Sequence, residues 1–136
     1  MPNPLNRLLG IIALLLLSAG SGFTQQTKTD SLTVLVNSAT NDKIKIDALN
    51  ALSKQYYFVD FKKSLDYNKK VVQLAKKINH TLGLADAYNI RGVIYMNTGK
   101  NSLAIANLNK AVSLYQKLNN QSGIANCYAN IGVFYI

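Results

Sequence analysis

The sequence has one cysteine, one histidine and no tryptophan, and its six acidic residues are all aspartate. A lone thiol has no partner, so Cys127 cannot form an internal disulfide, and it is expected to be a small core residue. Neither Cys127 nor His80 has a second thiol or histidine at metal-ligand spacing. The sequence also has no glycine-rich phosphate loop, no nucleophile motif and no pair of catalytic carboxylates. These absences predict a non-enzymatic chain that uses no cofactor and no metal.

Basic residues outnumber acidic ones by 15 to 6, and the formal net charge is +9. Six of the lysines form pairs that recur every seven residues. They are Lys62, Lys63, Lys69, Lys70, Lys76 and Lys77. On a helix they would share one broad face, which could bind an anionic partner or lipid head groups, or could simply be a solvated outer face. Tyr67 is the only aromatic residue among the lysines. The solvated face is therefore favoured and no nucleic-acid partner is expected.

The first 22 residues have the pattern of a secretory signal peptide. Arg7 supplies a positive charge, residues 8–17 form an apolar run, and residues 18–22 are small. The run is shorter than the ~20 residues that span a bilayer, although an uncleaved anchor is the alternative. The sequence therefore predicts export to the periplasmic or extracellular side, with membrane attachment only through this segment or a further downstream one.

The remainder is predicted to be helical throughout. Residues 23–42 are expected to form a flexible lead followed by a short helix, with Asp30 as the cap of a helix that starts at Ser31. Apolar residues at helical spacing then predict helices over 43–58, 62–78, 82–97, 102–118 and 123–136. Short turns rich in Asn, Gly and Asp separate them.

Part of this region repeats after forty residues, with six of seven compared positions identical. The pairs are Gly83/Gly123, Ala85/Ala125, Tyr88/Tyr128, Asn89/Ala129, Gly92/Gly132, Val93/Val133 and Tyr95/Tyr135. A period of this size predicts stacked units over about 43–81, 82–121 and an incomplete 122–136. Glycine inside a helix costs about 1 kcal/mol relative to Ala, so Gly92 and Gly132 are expected where a neighbouring helix approaches closely.

The pattern resembles the tetratricopeptide repeat family, in its long bacterial variant of about forty residues. That family has a large residue, Leu-Gly and Tyr in the first helix of a unit, and spaced alanines in the second. The matching positions are Tyr88, Arg91, Gly92, Tyr95, Gly99, Ala104, Leu108 and Ala111, then Tyr128, Ile131, Gly132 and Tyr135. A weaker earlier copy has Leu49, Leu52, Ser53, Tyr56, Ser64, Asn68 and Val71. Arg91 stands in place of the usual Leu, and the proline that often ends a unit is missing. The resemblance implies an all-α fold, a right-handed α-solenoid of antiparallel helix pairs.

In that family the first helix of each unit lines a concave groove that binds peptides. The corresponding positions are Asp47, Asn50, Lys54, Tyr57, Asp86, Asn89, Val93, Met96, Asn126, Ala129 and Val133. Asp47 with Asp86, and Asn50 with Asn89, would form two short polar ladders. The alternative is that these are ordinary exposed polar residues. The basic clamp that some members use for a chain-terminal carboxylate is not reproduced, because Val93 and Val133 occupy its place.

The resemblance implies a non-catalytic scaffold for protein–protein interaction, whose partner is a protein or peptide. Such repeats often form the extracytoplasmic region of bacterial signalling proteins. The alternative is a stand-alone secreted or periplasmic adaptor that binds an acidic partner. Residues 131–136 end the sequence on apolar side chains with no following helix to cover them, so we expect a longer product. The oligomeric state stays open.

Overall fold

A computed structural model of the chain describes residues 24–133, and every regular element within that range is a helix. The first helix, α1, covers residues 24–38. The others are α2 (Asp42–Tyr56), α3 (Phe61–Lys77), α4 (Thr81–Asn97), α5 (Asn101–Lys117) and α6 (Gln121–Gly132). The all-α prediction is confirmed. The predicted signal peptide, residues 1–22, and the repeat position Tyr135 lie outside the described residues.

The N-terminal region differs from its prediction. The chain divides into two units, with the boundary between Ser31 and Leu32. In the first, residues 24–31 are helical, so the expected flexible lead is wrong over this part. Asp30 lies inside the helix and accepts a hydrogen bond from Gln26 Nε2 at 2.9 Å, so it is not a cap. One turn of spacing places these two side chains on the same face, which favours continuing the helix.

From α2 onward each helix packs against the next, and helices two apart also touch, α2 with α4 and α4 with α6. Two contacts between α4 and α5 show the relative direction of these neighbouring helices. Gly92 lies beside Leu108, and Asp86 bonds to Tyr115, so α4 and α5 run antiparallel. Contacts between helices two apart connect residues about forty positions apart in the sequence. For example, Asn97 Nδ2 donates to the Tyr57 carbonyl oxygen at 3.2 Å. The fold is therefore repeat-like as well as helical.

The turns after α3, α4 and α5 each contain one residue with a positive φ angle. Asn79, Gly99 and Asn119 have φ angles of 55°, 70° and 52°, the left-handed conformation that ends a helix. The chain then enters the next helix directly. His80 Nδ1 accepts from the Gly83 N–H at 3.1 Å, which makes this lone histidine a helix N-cap. The turns predicted at these positions are confirmed.

Much of the core lies in two clusters, both of which include residues of α4. The first joins α2, α3 and α4 through Ile46, Leu49, Val71, Ala75 and Ala87. The second joins α4, α5 and α6 through Ala85, Ala111, Val112, Tyr115 and Cys127. Cys127 is fully buried, as expected of a core residue, and so is the repeat position Ala104. α4 therefore contributes buried residues to both clusters.

The two repeat glycines differ. A Cβ atom at Gly92 would lie 2.6 Å from Leu108 Cγ and 3.3 Å from the Ala104 carbonyl oxygen, so α5 approaches α4 closely there, as predicted. A Cβ at Gly132 would meet nothing within 4 Å among the described residues, so close approach at Gly132 is wrong for residues 24–133. Gly123 is instead the tight contact of α6, where a Cβ would lie 2.5 Å from Tyr115 Cδ1.

Candidate functional site

Two neighbouring cavities lie along the face that α2, α4 and α6 share. One, which we call the Met96 cavity, has a volume of about 290 Å³. Its lining is Lys54, Tyr57, Phe58, Asn89, Ile90, Val93, Met96, Asn126, Ala129 and Asn130. The other, the Asp86 cavity, has a volume of about 270 Å³. Its lining is Lys54, Asp86, Asn89, Tyr115, Asn120, Ser122, Gly123 and Asn126. Lys54, Asn89 and Asn126 line both, so the cavities adjoin.

The Met96 cavity has an apolar floor and a polar edge. Val93 and Met96, one turn apart on α4, are half-buried and form part of the floor. At one end Tyr57 and Phe58 place their ring centroids 4.2 Å apart at 56°, a tilted aromatic pair. Phe58 remains 63% exposed, so its ring is accessible from outside the cavity. This end can therefore accept an apolar side chain from another molecule.

Asparagine amides form the polar edge between the cavities. Asn130 Nδ2 donates to Asn89 Oδ1 at 3.2 Å, which links α6 to α4. Asn126, one turn before Asn130, is exposed. Each amide group offers both a donor and an acceptor, the pair that the backbone of an extended peptide requires.

The Asp86 cavity contains a half-buried carboxylate. The Tyr115 hydroxyl donates a short hydrogen bond to Asp86 Oδ1. Burial raises the pKa of Asp86 above its ordinary value of 3.8, and the Tyr115 bond and the charge of Lys54 offset part of this rise. Burial, followed by the bond to Asp86, raises the pKa of Tyr115 strongly. At neutral pH Tyr115 is therefore a hydrogen-bond donor that holds the carboxylate in place.

Cys127 does not add a reactive group to this site. Burial, and after it the charge of Asp86, raises the pKa of the Cys127 thiol to about 11. Its side chain is fully buried, and the thiolate is the nucleophilic form of cysteine. The thiol is thus a packing group beneath the cavity.

The structure brings most of the predicted groove residues together. Lys54, Tyr57, Asn89, Val93, Met96 and Asn126 line the Met96 cavity, and Asp86 lines the adjoining one. Asp47 is exposed and lines neither, although its charge acts on Asp86. Of the predicted Asp47–Asp86 ladder, only Asp86 lines one of the two cavities.

Asn50 is a clear exception. It is 6% exposed, and its Nδ2 donates to the Gly83 carbonyl oxygen at 3.3 Å between α2 and α4. Its Oδ1 is buried and has no hydrogen-bond partner among residues 24–133. The expected Asn50–Asn89 ladder is replaced by the pair of Asn89 with Asn130. Glycine at position 83 lets α2 and α4 approach so closely that Asn50 is enclosed.

Sequence reasoning missed several lining residues. Phe58 ends a predicted helix and Asn130 follows the predicted groove position Ala129, so the sequence pattern assigns neither residue to the groove. Tyr115 from the end of α5, Asn120 from the following turn and Ser122 from the first turn of α6 also line the Asp86 cavity. Asn130 could have been found from the repeat, because it lies forty residues after Ile90 and both residues line the Met96 cavity.

Other candidate groups are accounted for within residues 24–133. All six paired lysines of α3 are exposed, consistent with a solvated face. In this range no cluster of three or more His, Cys, Asp or Glu residues could hold a metal ion. Likewise, none of the described helices is both long and apolar enough to span a membrane.

Comparison with protein-family models, with curated proteins and with solved structures finds no match for this chain.

Proposed function

We propose that the chain is a non-catalytic protein–protein interaction scaffold that binds an extended segment of a partner along α2, α4 and α6. The observation that carries this proposal is the pair of adjoining cavities. Three helices that alternate along the chain supply most of their lining, and Lys54, Asn89 and Asn126 belong to both. A continuous surface of this kind suits a chain segment better than a single small molecule.

The chemistry of the two cavities suggests how a segment would lie. An apolar side chain would enter the Met96 cavity beside Tyr57 and Phe58. Asn89, Asn126 and Asn130 would hydrogen-bond the segment's backbone, which gives affinity without strict sequence demands. Both cavities are at or below the ~300 Å³ lower end of small-molecule pockets, a size that fits single side chains.

In this proposal the helices form a right-handed α-solenoid of the tetratricopeptide type. The packing of each helix on the next and the forty-residue contacts support it. The sequence of residues 1–22 supports export, and together these features suggest the extracytoplasmic repeat region of a bacterial sensor. Mass spectrometry of the exported protein should find a mature N-terminus near residue 23, and an intact residue 1 would instead indicate an anchor.

Peptide display on the purified chain tests the binding surface. A random-sequence library should yield peptides with a shared apolar residue that bind the chain. The double variant Lys54→Ala/Asn126→Ala should lose this binding, because both residues line both cavities. The matched control is Lys62→Ala/Asn109→Ala, two exposed residues of the same types on α3 and α5. Equal binding by both double variants, or no enriched peptide, would contradict the proposal.

A second candidate function is an adaptor for an acidic partner. The observation that favours it is the uniform exposure of the six α3 lysines. Binding of an acidic peptide should then fall steeply with added salt, because exposed charges are screened within about 10 Å at ~0.1 M ionic strength. The display selection separates the two functions, since an acidic consensus would point to α3 and an apolar residue to the Met96 cavity.

A further inference from the structure

A third cavity lies on the other side of α2, where α1, α2 and α3 meet. Its volume is about 470 Å³, within the ~300–1,000 Å³ range of ligand pockets. Each helix contributes one apolar residue to its floor: Val36, Leu49 and Leu74. Val36 and Leu74 pack against the first core cluster, to which Leu49 belongs. The floor is therefore a fixed part of the core surface.

The rim of this cavity is basic. Lys45, Lys70 and Lys77 line it, with the neutral amides of Asn37 and Gln73, and no acidic residue occurs among its described lining. Lys70 and Lys77 are seven residues apart, two helical turns or about 10.5 Å along α3. Lys70 Nζ lies 5.6 Å from the Tyr67 ring centroid, so its stem follows α3. The cavity thus combines an apolar floor with positive charge on two helices.

We propose that this cavity binds a small anionic amphiphile, an apolar body that carries one carboxylate or a similar anionic group. The apolar body would cover Val36, Leu49 and Leu74, and the anion would lie between the ammonium groups of α2 and α3. A neutral apolar ligand would leave three lysines without a counter-charge. A small inorganic anion would leave the apolar floor exposed, so the joint chemistry selects an amphiphile.

Only two of the six paired lysines of α3 belong to the proposed site. Lys70 and Lys77 line the cavity, whereas Lys62 and Lys69 do not, although all four are exposed lysines of α3. The site is also separate from the Met96 and Asp86 cavities, with which it shares no lining residue. Its success or failure is therefore independent of the proposed peptide binding.

Calorimetric titration of the full chain with decanoate, below its micelle-forming concentration, tests the proposal. We expect saturable binding of one decanoate per chain. Lys70→Gln/Lys77→Gln should weaken it roughly tenfold, as expected for the loss of two exposed ion pairs. The control Lys62→Gln/Lys69→Gln removes the same charge from the same helix at the same spacing and should leave the affinity within about twofold of wild type. Circular dichroism should show equal helicity in all three proteins.

Two further ligands separate the contributions of charge and apolar surface. Decyltrimethylammonium has a similar tail with the opposite charge, and acetate has the carboxylate without the tail, so neither should bind measurably. Equal binding of the cationic amphiphile, or equal loss in both double variants, would overturn the proposal. Binding to anionic phospholipid vesicles without binding of free decanoate would also overturn it, since a membrane surface would then be the partner.

Discussion

The helix pairs α2–α3 and α4–α5 make contact at corresponding positions of the repeat, but through different chemistry. In α4–α5 the close contact is apolar, with Gly92 against Leu108 and Ala104. The corresponding positions in α2–α3 are Ser53, Asn68 and Ser64, all of them completely buried. The Ser53 hydroxyl donates to the Ser64 carbonyl oxygen at 2.9 Å, and the Ser64 hydroxyl donates to the Ser53 carbonyl oxygen at 2.6 Å. Corresponding positions of the repeat are therefore filled by packing in one helix pair and by reciprocal hydrogen bonds in the other.

Asn68 shows what the polar version adds. Its Nδ2 donates to the Ala87 carbonyl oxygen at 2.8 Å, and its Oδ1 accepts from Arg91 Nε at 2.7 Å. Arg91, which stands where the resembled family has Leu, thus has a specific partner on α3. Buried polar groups are tolerated when hydrogen-bonded, and this pair also ties α3 to α4 in one register. The equivalent Leu108 can only contribute packing.

The largest effect should come from overfilling the apolar contact. Gly92→Leu should lower the free energy of unfolding by about 1–3 kcal/mol, because even a Cβ at this position would meet Leu108. Urea denaturation measures the change. Gly132→Leu is the control, since no described atom lies within 4 Å of its Cβ position, and it should not destabilise. Equal losses at both positions would mean that the close contact is not specific to α4–α5.

Replacing the polar contact with its apolar counterpart should cost slightly less. Asn68→Leu removes the acceptor of Arg91 Nε and the bond to Ala87, so we expect a loss of about 1–2 kcal/mol. The exposed Asn109→Leu is the control and should change stability little. A gain in stability at position 68 would show that the two pairs are interchangeable and that the polar network adds nothing.

A smaller loss should follow Ser64→Ala, which removes one of the reciprocal hydroxyl bonds between α2 and α3. The expected change in the free energy of unfolding is about 0.5–1.5 kcal/mol, the usual net value of one such bond. Ser113→Ala on the exposed face of α5 provides the comparison. Indistinguishable denaturation midpoints for the two variants would contradict a stabilising role for the serine pair.

The smallest effect concerns pH. Burial raises the folded-state pKa of Asp86 above its ordinary 3.8, so the folded state binds the proton more tightly than the unfolded state. The resulting stabilisation is present below the unfolded pKa and is lost as pH rises through the folded pKa. Asp86→Asn keeps an acceptor for Tyr115 but cannot ionise, so its stability relative to wild type should increase from about pH 3 to about pH 7. A constant difference would mean that Asp86 is not desolvated.

Much of the helical organisation follows from local signals in the sequence. Asn79, Gly99 and Asn119 adopt the left-handed conformation, which Gly and Asn tolerate best, so helix ends were predictable there. The extra N-terminal helical residues were not predictable in this way, because the polar stretch before Asp30 has no strong helical periodicity. The bond from Gln26 to Asp30 is one side-chain contact that favours the helix there.

The candidate site was only partly predictable, for a geometric reason. Helical spacing places Asn50 and Asn89 on corresponding faces, but it does not give the distance between α2 and α4. That distance depends on Gly83, where a Cβ would collide with Ile46. Because α2 and α4 approach closely there, Asn50 is buried. The turn residues that close the Asp86 cavity, such as Asn120, belong to no helix pattern. Contacts of this kind require the assembled structure.

The central claim is that α2, α4 and α6 form one binding surface, and amide NMR of the isotope-labelled chain with a display-selected peptide tests it most directly. The account predicts that the side-chain amide signals of Asn89, Asn126 and Asn130 shift on peptide addition, together with the methyl signal of Met96. The amides of the α3 lysines should stay unchanged. Shifts confined to α3, or spread evenly over all helices, would contradict the claim.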